Sequence, residues 1–499
     1  MNYLRKTFTE RLIVFCLLLS GFASAQSLTQ SPYSRFGIGD LQSQSFIRQK
    51  GMGGTSLTGS GPFSININNP AALSSLLLTT FDIGVAGGLT HFESSDMKEK
   101  SGSAGLNYFA LGFPIKTKKW GTAFGLLPFS NTGYDIYGTQ TGENGLEQAH
   151  TYKGSGGINQ FFLANAWSPF KNLSLGVNAS YLFGTITEVR TVQYNDVSYL
   201  NTRVTDNANY GDFYFRGGLL FTLDSLSVSA SDSLVRAKQR LNSIDDSLDI
   251  FRQLVKRKPV IDSASEAAAL QGMNAVIRQL EEEQLQAQAV KKNIMRTRQR
   301  GAWSLTAGIT SSLNTNINAT QDKLAVNYRS LGNIVYVKDT VENIESKAGV
   351  VKFPMTYGVG LQLKKGSRWL FQGDFMAQNW QDFSKFGEKD SLRDSWNAAF
   401  GVQFTPNDRS IKSYWNTVQY RVGYRYSQSY LQLRGNTLTE YAITAGLGLP
   451  MKRVATVFHL FGEYGTRGTM QNGLIREKFL RFGVGVTLND RWFVKSQYE

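Results

Sequence analysis

The 499-residue chain has one cysteine, Cys16, which lies in the short apolar run Leu12-Ile13-Val14-Phe15-Cys16-Leu17-Leu18-Leu19. Arg5, Lys6 and Arg11 flank this run, and Ala23-Ser24-Ala25 follows it. This is the layout of a secretory signal cut before Gln26. Phe15, rather than a small residue, precedes the cysteine and speaks against a lipoprotein site. The mature chain is then expected to lack cysteine, which excludes disulfides, thiol catalysis and cysteine-held metals. The three histidines, His91, His150 and His459, stand far apart without ligand spacing. Neither a nucleophile elbow nor a phosphate loop is present, so no cofactor, no metal and no enzyme activity are expected. No second long apolar run exists, so membrane helices are not expected either.

Charge of one sign is in short supply: 38 acidic residues face 53 basic ones, a formal net charge of +15. Removing Arg5, Lys6, Arg11 and Glu10 with the signal lowers this by two, to +13. Such a balance suits nucleic acid or acidic lipid head groups. The charges read as scattered, however, and export argues against nucleic acid as a partner. Proline is scarce (10) beside glycine (49), phenylalanine (32) and tyrosine (22). Glycine and aromatics without cysteine, in an exported chain, fit a membrane β-barrel; a secreted array of soluble β-sandwiches is the alternative. The mean hydropathy of −0.25 agrees with strands that are polar on one face.

Period-two alternation supports the barrel. Leu480, Phe482, Val484, Val486 and Leu488 share one face, opposite Arg481, Gly483, Gly485 and Thr487. Tyr441, Ile443, Ala445, Leu447 and Leu449 repeat the pattern, as do Tyr357, Val359, Leu361 and Leu363. The pattern predicts fourteen strands: 79–96, 102–115, 119–142, 149–170, 172–194, 202–223, 301–328, 349–366, 367–386, 390–408, 417–435, 436–454, 455–477 and 478–490. Connections after even strands, such as Lys116-Thr117-Lys118 and Pro450-Met451-Lys452, are tight; those after odd strands read as longer and more polar. Short periplasmic turns alternating with longer outer loops are the mark of an outer-membrane barrel. The last strand is expected to end near Leu488, with Trp492 and Phe493 at the periplasmic interface.

Two segments do not read as barrel. From Ser31 to Leu78 the chain is glycine-rich, yet Phe63, Ile65, Ile67 and Leu73 need burial. A segment of this kind is expected to sit as a plug inside walls supplied by the strands. Between strands six and seven, Leu234, Ala237, Leu241, Ile244, Leu248, Phe251 and Val255 form a heptad seam that Pro259 ends, and a second helix follows. An antiparallel helical hairpin is predicted, hanging into the periplasm; a 25-residue helix reaches roughly 37 Å. It is either a solvated hairpin or a docking arm for a periplasmic protein. The expected organisation is thus signal 1–25, plug 26–78, strands one to six 79–223, helical insertion 224–300, and strands seven to fourteen with a tail 301–499.

Gly51-Met52-Gly53-Gly54-Thr55, followed by Asn69-Pro70-Ala71 and Leu73, resembles the start of the FadL family of outer-membrane long-chain fatty-acid and hydrocarbon transporters. Ser31-Pro32-Tyr33-Ser34-Arg35-Phe36-Gly37-Ile38-Gly39-Asp40 and Gly156-Gly157-Ile158-Asn159-Gln160 resemble the versions found in Bacteroidota. The resemblance spans the mature chain except the helical insertion. It implies a fourteen-stranded barrel with an N-terminal hatch, in which Gly51, Gly53, Gly54, Asn69, Pro70 and Ala71 belong to the hatch. It also implies a kink in the third strand that opens the wall sideways. Pro128 is similar in position, and a simple bulge is the other reading of a mid-strand proline.

Parity turns Arg421, Arg425, Glu440, His459, Glu463 and Arg481 inward. They are expected either to pair and anchor the plug or, for the arginines, to hold a fatty-acid carboxylate. Gln372 and Asp374 are inward on the ninth strand, as candidate lumen fillers. Two functions follow: uptake of hydrophobic small molecules or lipids through a plugged barrel with lateral exit, or a non-transporting accessory subunit of an outer-membrane secretion or assembly complex.

Overall fold

A computed structural model of the chain describes residues 30–59, 61–95, 97–142, 145–196, 198–224, 232–256, 264–331, 334–451 and 454–490. The signal, its cleavage site, Pro259, Trp492 and Phe493 lie outside the described residues.

Fourteen antiparallel strands close into a barrel. They are β1 (Thr79–Glu93), β2 (Lys98–Lys116), β3 (Trp120–Asn131, continued by Tyr134–Thr141), β4 (Glu147–Phe170), β5 (Leu173–Tyr194) and β6 (Asn201–Asp224). Then come β7 (Trp303–Ser312, continued by Thr315–Leu331), β8 (Ile334–Phe353, continued by Thr356–Lys365), β9 (Trp369–Gln378) and β10 (Ser395–Phe404). The last four are β11 (Gln419–Leu433), β12 (Asn436–Pro450), β13 (Val457–Arg467) and β14 (Arg476–Asp490). Closure comes from β1 pairing with β14, Thr79 opposite Asp490 through to Glu93 opposite Arg476. No edge is left at the seam, which is what a membrane demands of a sheet. Along β14, Leu480, Phe482, Val484 and Leu488 are about half exposed while Phe479 and Thr487 are buried. That exposed apolar row is the face a closed barrel turns to lipid.

The strand number agrees with the alternation, but the outer loops do not. Residues 329–348, expected as a loop, are sheet: β8 begins at Ile334 and pairs with β7 from Leu331 opposite Ile334 down to Thr315 opposite Phe353. Nearly all of residues 334–350 are exposed. A ladder wet on both faces needs no apolar alternation, so its sequence looks like a loop. Loop lengths are uneven at the other end as well, where β10 and β11 are joined by residues 405–418.

The interior is filled. One apolar cluster joins Tyr33 and Ile38 to Tyr210, Phe353, Trp380 and Tyr430. A second joins Ile47, Ile65, Ile67 and Leu73 to Tyr108 and Phe162. Each of these aliphatic side chains, fully removed from water, contributes about 1.5–3 kcal/mol.

The helical insertion forms a compact unit of its own, Leu223–Leu305 together with Leu363–Trp369. It contains α1 (Asp232–Lys256) and α2 (Ala264–Gly301). Leu241, Ile244 and Leu248 pack on Ala287, with Ile277 and Leu280 alongside. Arg252 meets Glu281 at 2.8 Å, and Gln284 donates to Asp245 at 2.7 Å, so the helices run antiparallel.

Candidate functional site

The plug is seated by close backbone approach. Asn69 starts a 3-10 helix, Pro70–Ser75: its side-chain oxygen accepts from the Ala71 amide at 3.2 Å, and proline stands at the first helical position. The wall meets this turn with glycine. A methyl group on Gly176 of β5 would collide with Pro70 and Ala71, and one on Gly218 of β6 with Asn69. Gly121 of β3 admits the Leu73 carbonyl in the same way, and Gly308 of β7 admits that of Leu57. Across the lumen, Gly401 of β10 and Gly423 of β11 receive Met52 and Gly53. Gly53 and Gly54 have φ of 72° and 85°, the left-handed region that glycine enters without strain. Gly51 lies against Gly446 of β12.

Hydrogen bonds fix the seat. One oxygen of Asp374 accepts from the Ser56 and Leu57 amides at 2.5 and 2.8 Å. Gln372 donates to the Thr58 hydroxyl and the Gly59 carbonyl, both at 2.9 Å. The Gly53 amide donates to Thr444 Oγ1 at 2.8 Å, and Asn69 Nδ2 donates to the Leu57 and Leu219 carbonyls at 2.7 and 3.2 Å.

The six inward ionisable residues divide into two groups. Arg425 meets Glu440 at 2.6 Å and Glu463 at 3.0 Å, while Arg481 meets Glu463 at 2.9 Å and Glu440 at 3.6 Å. This quartet, with Lys50 of the plug, lines a polar cavity of about 370 Å³. Burial pulls the Lys50 ammonium down to about 8, with Glu463 opposing. Arg421 and His459 stand apart from the quartet. Arg421 donates to Gln403 at 2.9 Å and to Gln419, and its guanidinium lies 3.2 Å from His459 Nδ1.

Pro128 lies where the wall divides. β2 pairs with β3 only from Phe109 opposite Leu126 to Lys116 opposite Trp120, and above this β2 follows β1. Pro128 stays opposite Asn159 of β4, with a bulge at Phe129, and β3 breaks after Asn131. The plug covers the β3 edge that β2 has left. Asp40 and Leu41 pair with Asn131 and Ser130, the Gln42 amide donates to the Phe129 carbonyl at 2.9 Å, and the Ser31 amide donates to Gly133 at 2.8 Å. A cavity of about 1790 Å³ follows the divide, with Leu106 on one side, Tyr134 and Ile136 on the other, and Ser31 and Pro32 in its lining.

The family model named BamG matches residues 5–250 and 261–499. The chain belongs to the BamG family. No curated protein matches it in sequence. Among solved structures, the Pseudomonas putida toluene transporter TodX is 13% identical, with 92% of this chain and 100% of that one covered and a TM-score of 0.50. A Pseudomonas aeruginosa FadL homologue is 9% identical, with 90% and 99% covered and a TM-score of 0.51. At these identities the likeness is one of fold: this BamG-family chain is a FadL-like outer-membrane barrel.

Sequence reasoning missed two interior clusters. Arg467 bridges Asp40 of the plug at 2.9 Å and Glu477 at 3.9 Å, and Ser31 Oγ donates to Glu477 at 2.5 Å. Asp82 accepts from Tyr108 at 2.9 Å and Thr487 at 2.8 Å, beneath the stack of Phe46 on Tyr108, with ring centroids 3.9 Å apart. Inward parity marks Arg467, Glu477 and Asp82 in the sequence. Only the path of the plug explains why they are there.

Proposed function

We propose that this chain is a non-conducting barrel subunit of an outer-membrane assembly or secretion complex, with the helical insertion of residues 224–300 as its arm for periplasmic proteins. The observation that carries the reading is the seat of the plug. Glycines from strands around the lumen leave the plug backbone no slack, and hydrogen bonds to Asp374, Gln372 and Thr444 hold it. Membership of the BamG family speaks for association with a complex. On this reading Gly51, Gly53, Gly54, Asn69, Pro70 and Ala71 form a permanent seal, and Arg425, Glu440, Glu463 and Arg481 brace it. Extraction in mild detergent should yield a stoichiometric complex. Deleting residues 224–300 should release the partner and leave a folded barrel. A lone wild-type monomer carrying bound lipid would overturn the proposal.

The cavity beside Pro128 favours a second reading, uptake of a hydrophobic small molecule such as a long-chain fatty acid, with exit through the divide between β2 and β3. Here Arg421 is the fitting carboxylate ligand, since its partners among the described residues are Gln403, Gln419 and His459. Uptake of labelled fatty acid by intact cells that falls on Pro128→Ala or Arg421→Gln would favour this reading. Equal uptake with and without the gene would dismiss it.

A further inference from the structure

We propose that two neighbouring turns, β2–β3 and β4–β5, form a binding site for the headgroup of an anionic phospholipid in the inner leaflet of the outer membrane. The turns are short, residues 117–119 and 171–172, and lie at the end where β1 begins and β14 ends. In a barrel inserted from the periplasm, short turns and chain ends share the periplasmic side.

The net charge of +15 has one of its concentrations here. Lys116, Lys118 and Lys119 lie in or beside the first turn and Lys171 in the second, all exposed. The turns are joined by the Ser168 amide, which donates to the Lys119 carbonyl at 2.7 Å, and by Trp120 standing opposite Trp167. Residues 100–134 and 148–187 contain no acidic residue. Among the described residues the ion pairs all lie elsewhere, so these four lysines have no carboxylate within 4.0 Å. Four ammonium groups without an ion-pair partner among the described residues, on one short stretch of rim, call for an anion.

The flanking aromatics identify the anion as lipid. Trp120 (46% exposed), Trp167 (56%) and Phe170 (69%) flank the lysines on the outside of the wall. Indoles settle at headgroup depth, so the lysines beside them meet phosphates, and a ligand reaches them from the bilayer. Lys118 also occupies a left-handed position, φ 59°. Glycine or asparagine fits that position with less strain, so Lys118→Asn removes the charge without straining the turn.

The test uses the full-length barrel in detergent micelles, titrated with brominated phosphatidylglycerol or brominated phosphatidylcholine, with tryptophan quenching as readout. Phosphatidylglycerol should quench at about tenfold lower lipid fraction, and each lysine removed should weaken this about twofold. The preference should vanish in 0.5 M salt (about the concentration that collapses the Debye length to a few Å) and in a variant with all four lysines changed to Gln. Trp120→Phe with Trp167→Phe should remove the phosphatidylglycerol-specific part of the quenching. Heat-modifiable gel mobility reports folding. Should the fourfold variant fail to fold, Lys118→Asn with Lys171→Gln is read in its place. Equal quenching by the two lipids, or a preference that survives the lysine changes, overturns the proposal. Salt-sensitive capture of an acidic peptide without any lipid preference does the same.

Discussion

Asp374 offers the most direct way to loosen the plug. Its carboxylate oxygen takes two plug amides, Ser56 at 2.5 Å and Leu57 at 2.8 Å, and the Leu57 side chain behind them is 1% exposed. A hydrogen bond to a charged group is worth about 1.5–3 kcal/mol, so Asp374→Ala removes about 3–6 kcal/mol from the seat. The polar cavity borders Asp374, Ser56 and Leu57, so water can reach the vacated amides, and the lower figure of about 3 kcal/mol applies. That raises the displaced-plug population about a hundredfold, at tenfold per 1.4 kcal/mol. Asp374→Asn keeps an acceptor in place and loses only the charge, so it should give about tenfold. The assay is single-molecule conductance in planar bilayers. Wild type should be closed, Asp374→Ala should flicker open about a hundred times more often than wild type, and Asp374→Asn should fall between. A barrel lacking residues 31–78 calibrates the fully open level. If that deletion conducts while Asp374→Ala stays as silent as wild type, the seat does not depend on this carboxylate and the reasoning fails.

Asn69→Ala loses the cap on the Pro70 turn and the donor to Leu57 and Leu219, and should lower the urea midpoint by about 2 kcal/mol equivalent; Asn69→Ser, which keeps a capping hydroxyl, should lose about half of that. Equal losses from the two would show that the cap contributes nothing. Arg425→Ala leaves Glu440 and Glu463 facing each other, and should cost about 3 kcal/mol, the low end for a buried pair because Arg481 remains. A loss under about 1 kcal/mol refutes the bracing role. Lys50 binds its proton less tightly folded, with its value near 8, than unfolded at 10.5. The unfolded chain therefore holds more protons across that window, and stability should rise as pH goes from 8 to 10. Unfolding in urea at the two pH values checks this, and an unchanged slope in Lys50→Met would refute it.

What could be read in the sequence was what the bilayer enforces. Lipid on one face and plug or water on the other imposes period two, so the strands and the inward parity of Arg425, Glu440, Glu463 and Arg481 were legible. Their pairing was not, because it depends on register: Glu463 faces Arg481, while Glu440 faces Ser427 and reaches the arginines diagonally. The ladder of residues 334–350 was unreadable for the opposite reason, since no solvent contrast marks it. The lysines of the two short turns looked scattered because they are close in space and some fifty residues apart in sequence.

The wall glycines were the deepest loss. Gly446, Gly448, Gly358 and Gly360 read only as small inward residues, whereas their neighbours in space are Gly51, Arg421 and Leu57. That contact bears on function. A seat built of side chains loosens by rotamer changes, but backbone against glycine has no rotamers to change. Moving this plug therefore requires the wall strands themselves to shift, against a closed ladder of hydrogen bonds around the barrel. A ligand that moved it would have to draw that cost from its net binding energy, bounded at roughly 0.3–1.5 kcal/mol per heavy atom, and would be held that much more weakly. On the reading proposed above, in which the barrel is a structural subunit, no ligand has to meet that cost and the plug stays seated.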